Sequence, residues 1–167
     1  MNAMSGADKF ADPLTERLAG FVRDIGIVVR AAALPEQTFL PGLEIRDGGL
    51  VIDESRLRHP GDILHEAGHL AVTDPAERNA PTLTPSAGDE MTAIAWSYAA
   101  LRHLEIDPAI VFHDDGYKGG ASAIIENFAA GRYFGVPLLQ LYGMSLEPRR
   151  AADGGVPPYP HMLRWLR

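Results

Sequence analysis

The sequence predicts a helix-rich α+β fold with a small β-hairpin or sheet beside its second helix. Three observations carry that expectation. Apolar residues recur at helical spacing over several long segments, strict alternation is confined to one short stretch around Asp47-Gly48-Gly49, and turn residues punctuate the chain between them. A length of 167 residues suits one domain spanning 1–167, and neither a repeat nor a linker divides it.

Asp12-Pro13 supplies an N-cap and a proline at the first helical position. Leu14, Leu18, Phe21, Val22, Ile25, Val28, Val29 and Ala32 then recur at helical spacing until Leu34-Pro35, which predicts one long packing helix. From Leu43 to Asp53, apolar Leu43, Ile45, Leu50 and Ile52 alternate with other residues across Asp47-Gly48-Gly49, the signature of a hairpin. Pro60 to Val72 reads as the second helix, with Ile63, Leu64, Ala67, Leu70 and Ala71 buried and Asp74-Pro75 as its stop. Residues 74–88 hold three prolines and no periodicity, a loop long enough to be functional.

Asp89 to Leu104 is the third helix, with Asp89 as N-cap and a stripe of Met91, Ile94, Ala95, Tyr98 and Leu101. A short helical piece opens at Asp107-Pro108, and His113 to Gly120 is a polar, glycine-rich loop. Ser122 to Tyr133 is the fourth long helix. Ile124, Ile125 and Phe128 face inward there, and Glu126 and Asn127 are expected as a hydrogen-bonded buried pair. Pro137 to Gly143 forms a fifth helix. Beyond Glu147 the chain is rich in Pro, Gly and Arg. Only its last eight residues look able to pack, and its arginines read as a solvated tail.

Composition excludes several functions. A formal net charge of -7 gives no general attraction for phosphate backbones, so nucleic acid is not an expected partner. The chain has no cysteine, which removes disulfides, thiolate ligands and a cysteine nucleophile and leaves imidazole and carboxylate for any metal. No run of 18 apolar residues is present, so no membrane span is expected. Met1 to Phe10 lacks the basic stretch and apolar run of a signal peptide, and a cytoplasmic location follows by default.

The second helix carries His65-Glu66-Ala67-Gly68-His69. Residues four apart share a helical face, about 5–6 Å apart at Cβ, so two imidazoles at this spacing converge on one ion. Zinc takes about four ligands at roughly 2 Å, which makes the pair half a site. Glu66 stands about 100° further around the helix, where it misses the metal yet reaches a water bound to it, the position of a general base. Composition alone yields such a motif in about one chain of this length per hundred, so its context has to carry weight. Ala67 and Gly68 are small enough for close packing around the site, and a carboxylate follows 21 residues after His69 at Glu90. Glu90 shares its helical face with Ile94 and Ser97, where a carboxylate is costly unless paired. Asp89 is the alternative third ligand, and an ordinary acidic first turn is the plain one.

Together these residues resemble the gluzincins, which combine H-E-x-x-H with a glutamate on the next helix, as thermolysin does. The small ImmA/IrrE-like peptidases are similar over residues 10–105. They place a packing helix and a short hairpin before the motif helix, then a glutamate helix that Glu90-Met91-Thr92-Ala93-Ile94-Ala95-Trp96-Ser97 matches except at its last position. The resemblance implies a zincin-like fold, one zinc ion held by His65, His69 and Glu90, Glu66 as catalytic base, and a zinc metallopeptidase acting on a peptide or protein substrate. Ile94 stands where thermolysin-like enzymes carry an aspartate four residues after the ligand glutamate, and the segment 106–167 matches nothing in that group. By analogy with the His and Tyr of thermolysin-type sites, His113 and Tyr117 are candidates to stabilise an oxyanion. A non-catalytic zinc-binding protein acting through protein contacts is the rival reading. Asp62 is expected either to pair with its own helix dipole or to support His65, whereas His103 reads as a surface residue and His59 and His161 lack context.

Overall fold

A computed structural model describes residues 8–167; the first seven residues of the stretch weighed above as a leader lie outside it. The chain runs α1 (Pro13–Asp24), β1 (Val29–Ala31), β2 (Leu43–Arg46), β3 (Gly49–Ile52), α2 (Asp62–Val72), α3 (Ala87–His103), α4 (Pro108–Val111), α5 (Ala121–Ala129), α6 (Val136–Leu141) and α7 (Pro148–Gly154). This is a helix-rich α+β fold with one small mixed sheet.

Helix α1 starts as its sequence dictates. The Asp12 carboxylate accepts from Thr15 N–H at 2.8 Å, and Pro13 occupies the first turn. It ends ten residues earlier than its periodicity suggests. Gly26, at φ +105°, turns the chain out of the helix, and the β-branched residues after it enter a strand instead. That strand, β1, was absent from the sequence expectation. It lies parallel to β3, with Val29 opposite Leu50 and Ala31 opposite Ile52.

The hairpin forms as its turn residues require. Arg46 pairs with Gly49 across a two-residue loop whose Asp47 and Gly48 both have positive φ, 50° and 78°, the type I′ signature. The sheet order β1-β3-β2 makes β3 the central strand, and all four of its residues are buried. Both β2 and β3 pack against α2.

Helix α2 lies at the centre of the core, and ten of its eleven residues are buried. A helix so largely enclosed needs outside partners for its terminal backbone groups. The chain beyond supplies them at the C-terminal end. Thr73 Oγ1 donates to the His69 carbonyl at 2.6 Å, Arg78 Nε to Leu70 at 2.9 Å, and the Arg167 N–H to Ala71 at 2.9 Å. The C-terminal arginines are therefore not all a solvated tail: Arg167 closes α2, and its guanidinium lies 3.8 Å from the Tyr142 ring centroid.

Helix α3 lies along α2. Ser86, not Asp89, is its N-cap. Asp89 sits at the third helical position and completes a capping box, its carboxylate accepting from Ser86 N–H at 2.8 Å. Gly68 sets the approach of the two helices. A Cβ there would meet the Ala93 carbonyl at 3.0 Å and Trp96 Cε3 at 3.2 Å. Ser97 Oγ donates to the Ala93 carbonyl at 2.7 Å and lies 3.4 Å from that of Leu64, across the same contact.

The C-terminal third packs more fully than its composition suggests. Helix α5 stops at Ala129, before Gly131 at φ +77°, and Glu126 is exposed rather than buried. Asn127 accepts from Arg132 Nε at 2.9 Å. Helix α7 was not expected. Tyr159, 2 % exposed, donates its hydroxyl to the Ala95 carbonyl at 2.7 Å. Trp165 meets Phe21 edge-on at 5.1 Å and accepts on its carbonyl from Trp96 Nε1 at 2.9 Å, so the last eight residues do pack. Among the described residues, no helix is long and apolar enough to cross a membrane.

Candidate metal centre

The site grows out of the contact between α2 and α3. Gly68 lets the second and third turns of α3 pack against the middle of α2, and the turn before them carries Glu90 over the two histidines. His65 Nε2 lies 3.1 Å from Glu90 Oε1. His69 Nε2 lies 2.9 Å from Glu90 Oε2. The two imidazole nitrogens are themselves 3.2 Å apart, with their rings nearly perpendicular at 89°. Asp89 turns away into its capping box, so of the two acidic residues the structure brings Glu90 to the histidines.

Two neutral imidazole nitrogens at 3.2 Å need a shared proton or a cation between them, because their lone pairs otherwise repel. Zinc–ligand bonds of about 2.0–2.2 Å at tetrahedral angles put ligand atoms about 3.3–3.5 Å apart. The three observed separations fall a few tenths of an ångström short of that, a gap that small side-chain rotations close. His65 and His69 are buried, which fixes their rings, whereas the Glu90 side chain is 45 % exposed and leaves one side of the cluster open. The donor set therefore fits one zinc ion.

The charges around the cluster shape its titration. Hydrogen bonds from His65 and His69 hold the Glu90 carboxyl far below the usual carboxylate range. Burial pushes the His65 imidazole down, but the bonded Glu90 carboxylate outweighs it, helped by Glu66 and Asp62, and the net shift is upward. Glu66 is pushed up, first by burial and then by Asp62 and Glu90, against the opposing pull of the two histidines. Its carboxylate makes no hydrogen bond among the described residues.

A second tier backs the first. Tyr117 Oη lies 3.1 Å from His65 Nδ1, the nitrogen facing away from Glu90. Burial, followed by the charges of Asp62, Glu90 and Glu66, raises the Tyr117 hydroxyl far above its ordinary value, so it stays a neutral phenol. His113 Nε2 donates to Asp62 Oδ1 at 2.6 Å. Asp62 stands in the first turn of α2, where it meets the helix dipole as its position suggested, and its carboxylate supports His113 rather than His65. Asp62 Oδ2 and His113 Nδ1 are both buried without a hydrogen-bond partner.

His59 was without context in the sequence. It stacks on His113 at 3.7 Å with 13° between the rings, and its Nε2 donates to Asp115 Oδ2 at 2.9 Å. Sequence spacing gives no signal for this pair, because His59 and His113 meet only when the loop after α4 folds onto the start of α2. His59, His113 and Asp115 are close enough for a shared ion. The stack argues against one: ring lone pairs lie in the ring planes, and those of near-parallel rings do not meet at an ion.

A cleft of about 450 Å³ opens beside His69, walled by Thr73, Asp74, Leu83, Asp89 and Arg167. The loop 74–86 forms much of that wall. His103 is exposed, as its position suggested. Comparison with protein-family models, curated proteins and solved structures finds no match.

Proposed function

We propose that this protein is a zinc-dependent hydrolase, most readily a metallopeptidase of gluzincin type. One observation carries the reading: His65, His69 and Glu90 converge from two helices with mutual separations of 2.9–3.2 Å. The motif on α2, the glutamate on α3 and the hairpin before them support the same resemblance. Zinc held by the three side chains would supply a Lewis acid that polarises a scissile carbonyl and lowers the pKa of water.

The chain's own residues do the rest. The cleft of about 450 Å³ beside His69 is the place proposed for the substrate. Glu66 accepts a proton from the attacking water on its carboxylate and delivers it to the leaving amine nitrogen. Burial raises the pKa of Glu66, the direction that suits a carboxylate which must both take and give a proton. His113 Nε2 bonds Asp62, while a Tyr117 hydroxyl that accepts from His65 Nδ1 keeps its own O–H to donate to an oxyanion.

The decisive comparison is wild type against Glu66→Gln. The amide keeps the shape of the side chain but cannot take the proton. Zinc content measured by elemental analysis should stay near one per chain in both. Cleavage of a peptide library should fall about a hundredfold to ten-thousandfold in the variant. Equal cleavage would remove Glu66 from the mechanism. Zinc bound to wild type with no cleavage of any library member would support the rival reading, a non-catalytic zinc-binding protein.

A further inference from the structure

An imidazole that gives its Nε2 lone pair to a metal must carry its proton on Nδ1. Something has to hold that proton in place, and for His65 the surroundings of Nδ1 offer one group. Among the described residues, the Tyr117 hydroxyl is the hydrogen-bonding partner of Nδ1, at 3.1 Å, with the two rings edge to face at 86°. A phenol oxygen has lone pairs and accepts from an N–H.

The geometry of the loop makes this contact repeatable. Tyr117 packs edge-on against Phe112 at 5.3 Å, and Phe112 is almost wholly buried. The turn after it is closed by Gly120 N–H donating to the Tyr117 carbonyl at 2.8 Å, with Lys118 and Gly119 at positive φ. The loop is also fixed one step earlier, where His113 bonds Asp62. Asp62 and His65 stand three apart on α2, so the loop grips one face of that helix at two successive heights. Gly61 permits the approach, because a Cβ there would collide with the Ile110 carbonyl at the end of α4.

We infer that Tyr117 is a positioning residue for the metal centre: its hydroxyl accepts the Nδ1–H of His65 and so fixes the tautomer that turns Nε2 toward the ion. The inference rests on the reading of His65, His69 and Glu90 as a zinc site. It gives the loop 113–120 a task that its sequence did not announce, and a task different from oxyanion stabilisation.

Zinc alone is the probe. Affinity is measured by competition with a chromogenic chelator for wild type and Tyr117→Phe, and the thermal midpoint of each metal-free protein is recorded beside it. Loss of such an outer partner lowers metal affinity about 10- to 100-fold. That drop is the expected result, with the metal-free midpoint little changed. In zinc-loaded wild type, ring-nitrogen NMR should find the His65 proton on Nδ1 and protected from exchange. Equal or tighter zinc binding by a folded Tyr117→Phe would overturn the inference while leaving the zinc site intact. A His65 proton found on Nε2 in the zinc-loaded protein would overturn the inference together with the Nε2 ligation it rests on, even if the variant fails to fold. Wild type that binds no zinc would instead overturn the site reading itself.

Discussion

The cluster of two imidazoles and a carboxylate is a proton-binding site as well as a candidate metal site, and the two uses compete. Zinc needs both nitrogens deprotonated. The Glu90 carboxylate favours the protonated form of His65 and holds it above the ordinary value of 6.5. Zinc affinity should therefore weaken as pH falls through a midpoint above 6.5, with protons released on binding. Titration calorimetry in buffers of different ionisation enthalpy measures that release, and its absence at neutral pH would contradict the assignment of His65. Between the two acidic residues of the first turn of α3, Glu90→Ala should lose far more zinc affinity than Asp89→Ala. Asp89→Ala instead removes half of a capping box and should cost about 1 kcal/mol of stability. Chelator competition together with thermal melts separates the two, and a reversed order would shift the ligand by one position.

At the scale of elements, the contact of α2 with α3 decides whether the donors meet. Gly68 faces the Ala93 carbonyl and the Trp96 ring at distances that leave no slack for a larger side chain. Gly68→Val should force the helices apart at a cost of about 1–3 kcal/mol, the usual range for overpacking. Because Glu90 rides on α3, the same change should also lower zinc affinity. A destabilised Gly68→Val protein with wild-type affinity would show that Glu90 follows His65 and His69 independently of helix spacing. The motif helix, the hairpin and the glutamate helix were legible in the sequence because local signals mark each of them: a proline stop, a two-residue turn, an acidic first turn. Strand β1 was not legible. Val28 and Val29 fit a helical stripe as well as a strand, and their partner Leu50 lies some twenty residues away.

At the scale of the whole molecule, the C-terminal segment closes the core around α2 and α3. Trp165 sits among Phe21, Trp96 and His103, and Arg167 caps α2. Trp165→Ala should lower stability by roughly 2 kcal/mol, about half of what a fully buried aromatic costs. A melt within experimental error of wild type would show that the tail merely rests on the core. The sequence by itself determined the helix-rich α+β character, the helical pairing of His65 with His69 and the nomination of Glu90. Those features depend on residues close in the chain, where periodicity and capping act. Tertiary structure alone decided that Glu90 rather than Asp89 meets the histidines, that Tyr117 backs His65, that Asp62 holds His113, and that Arg167 closes α2. Each of these joins residues 20 to 100 positions apart. Their meeting depends on how buried helix faces fit together, a constraint that no local pattern records.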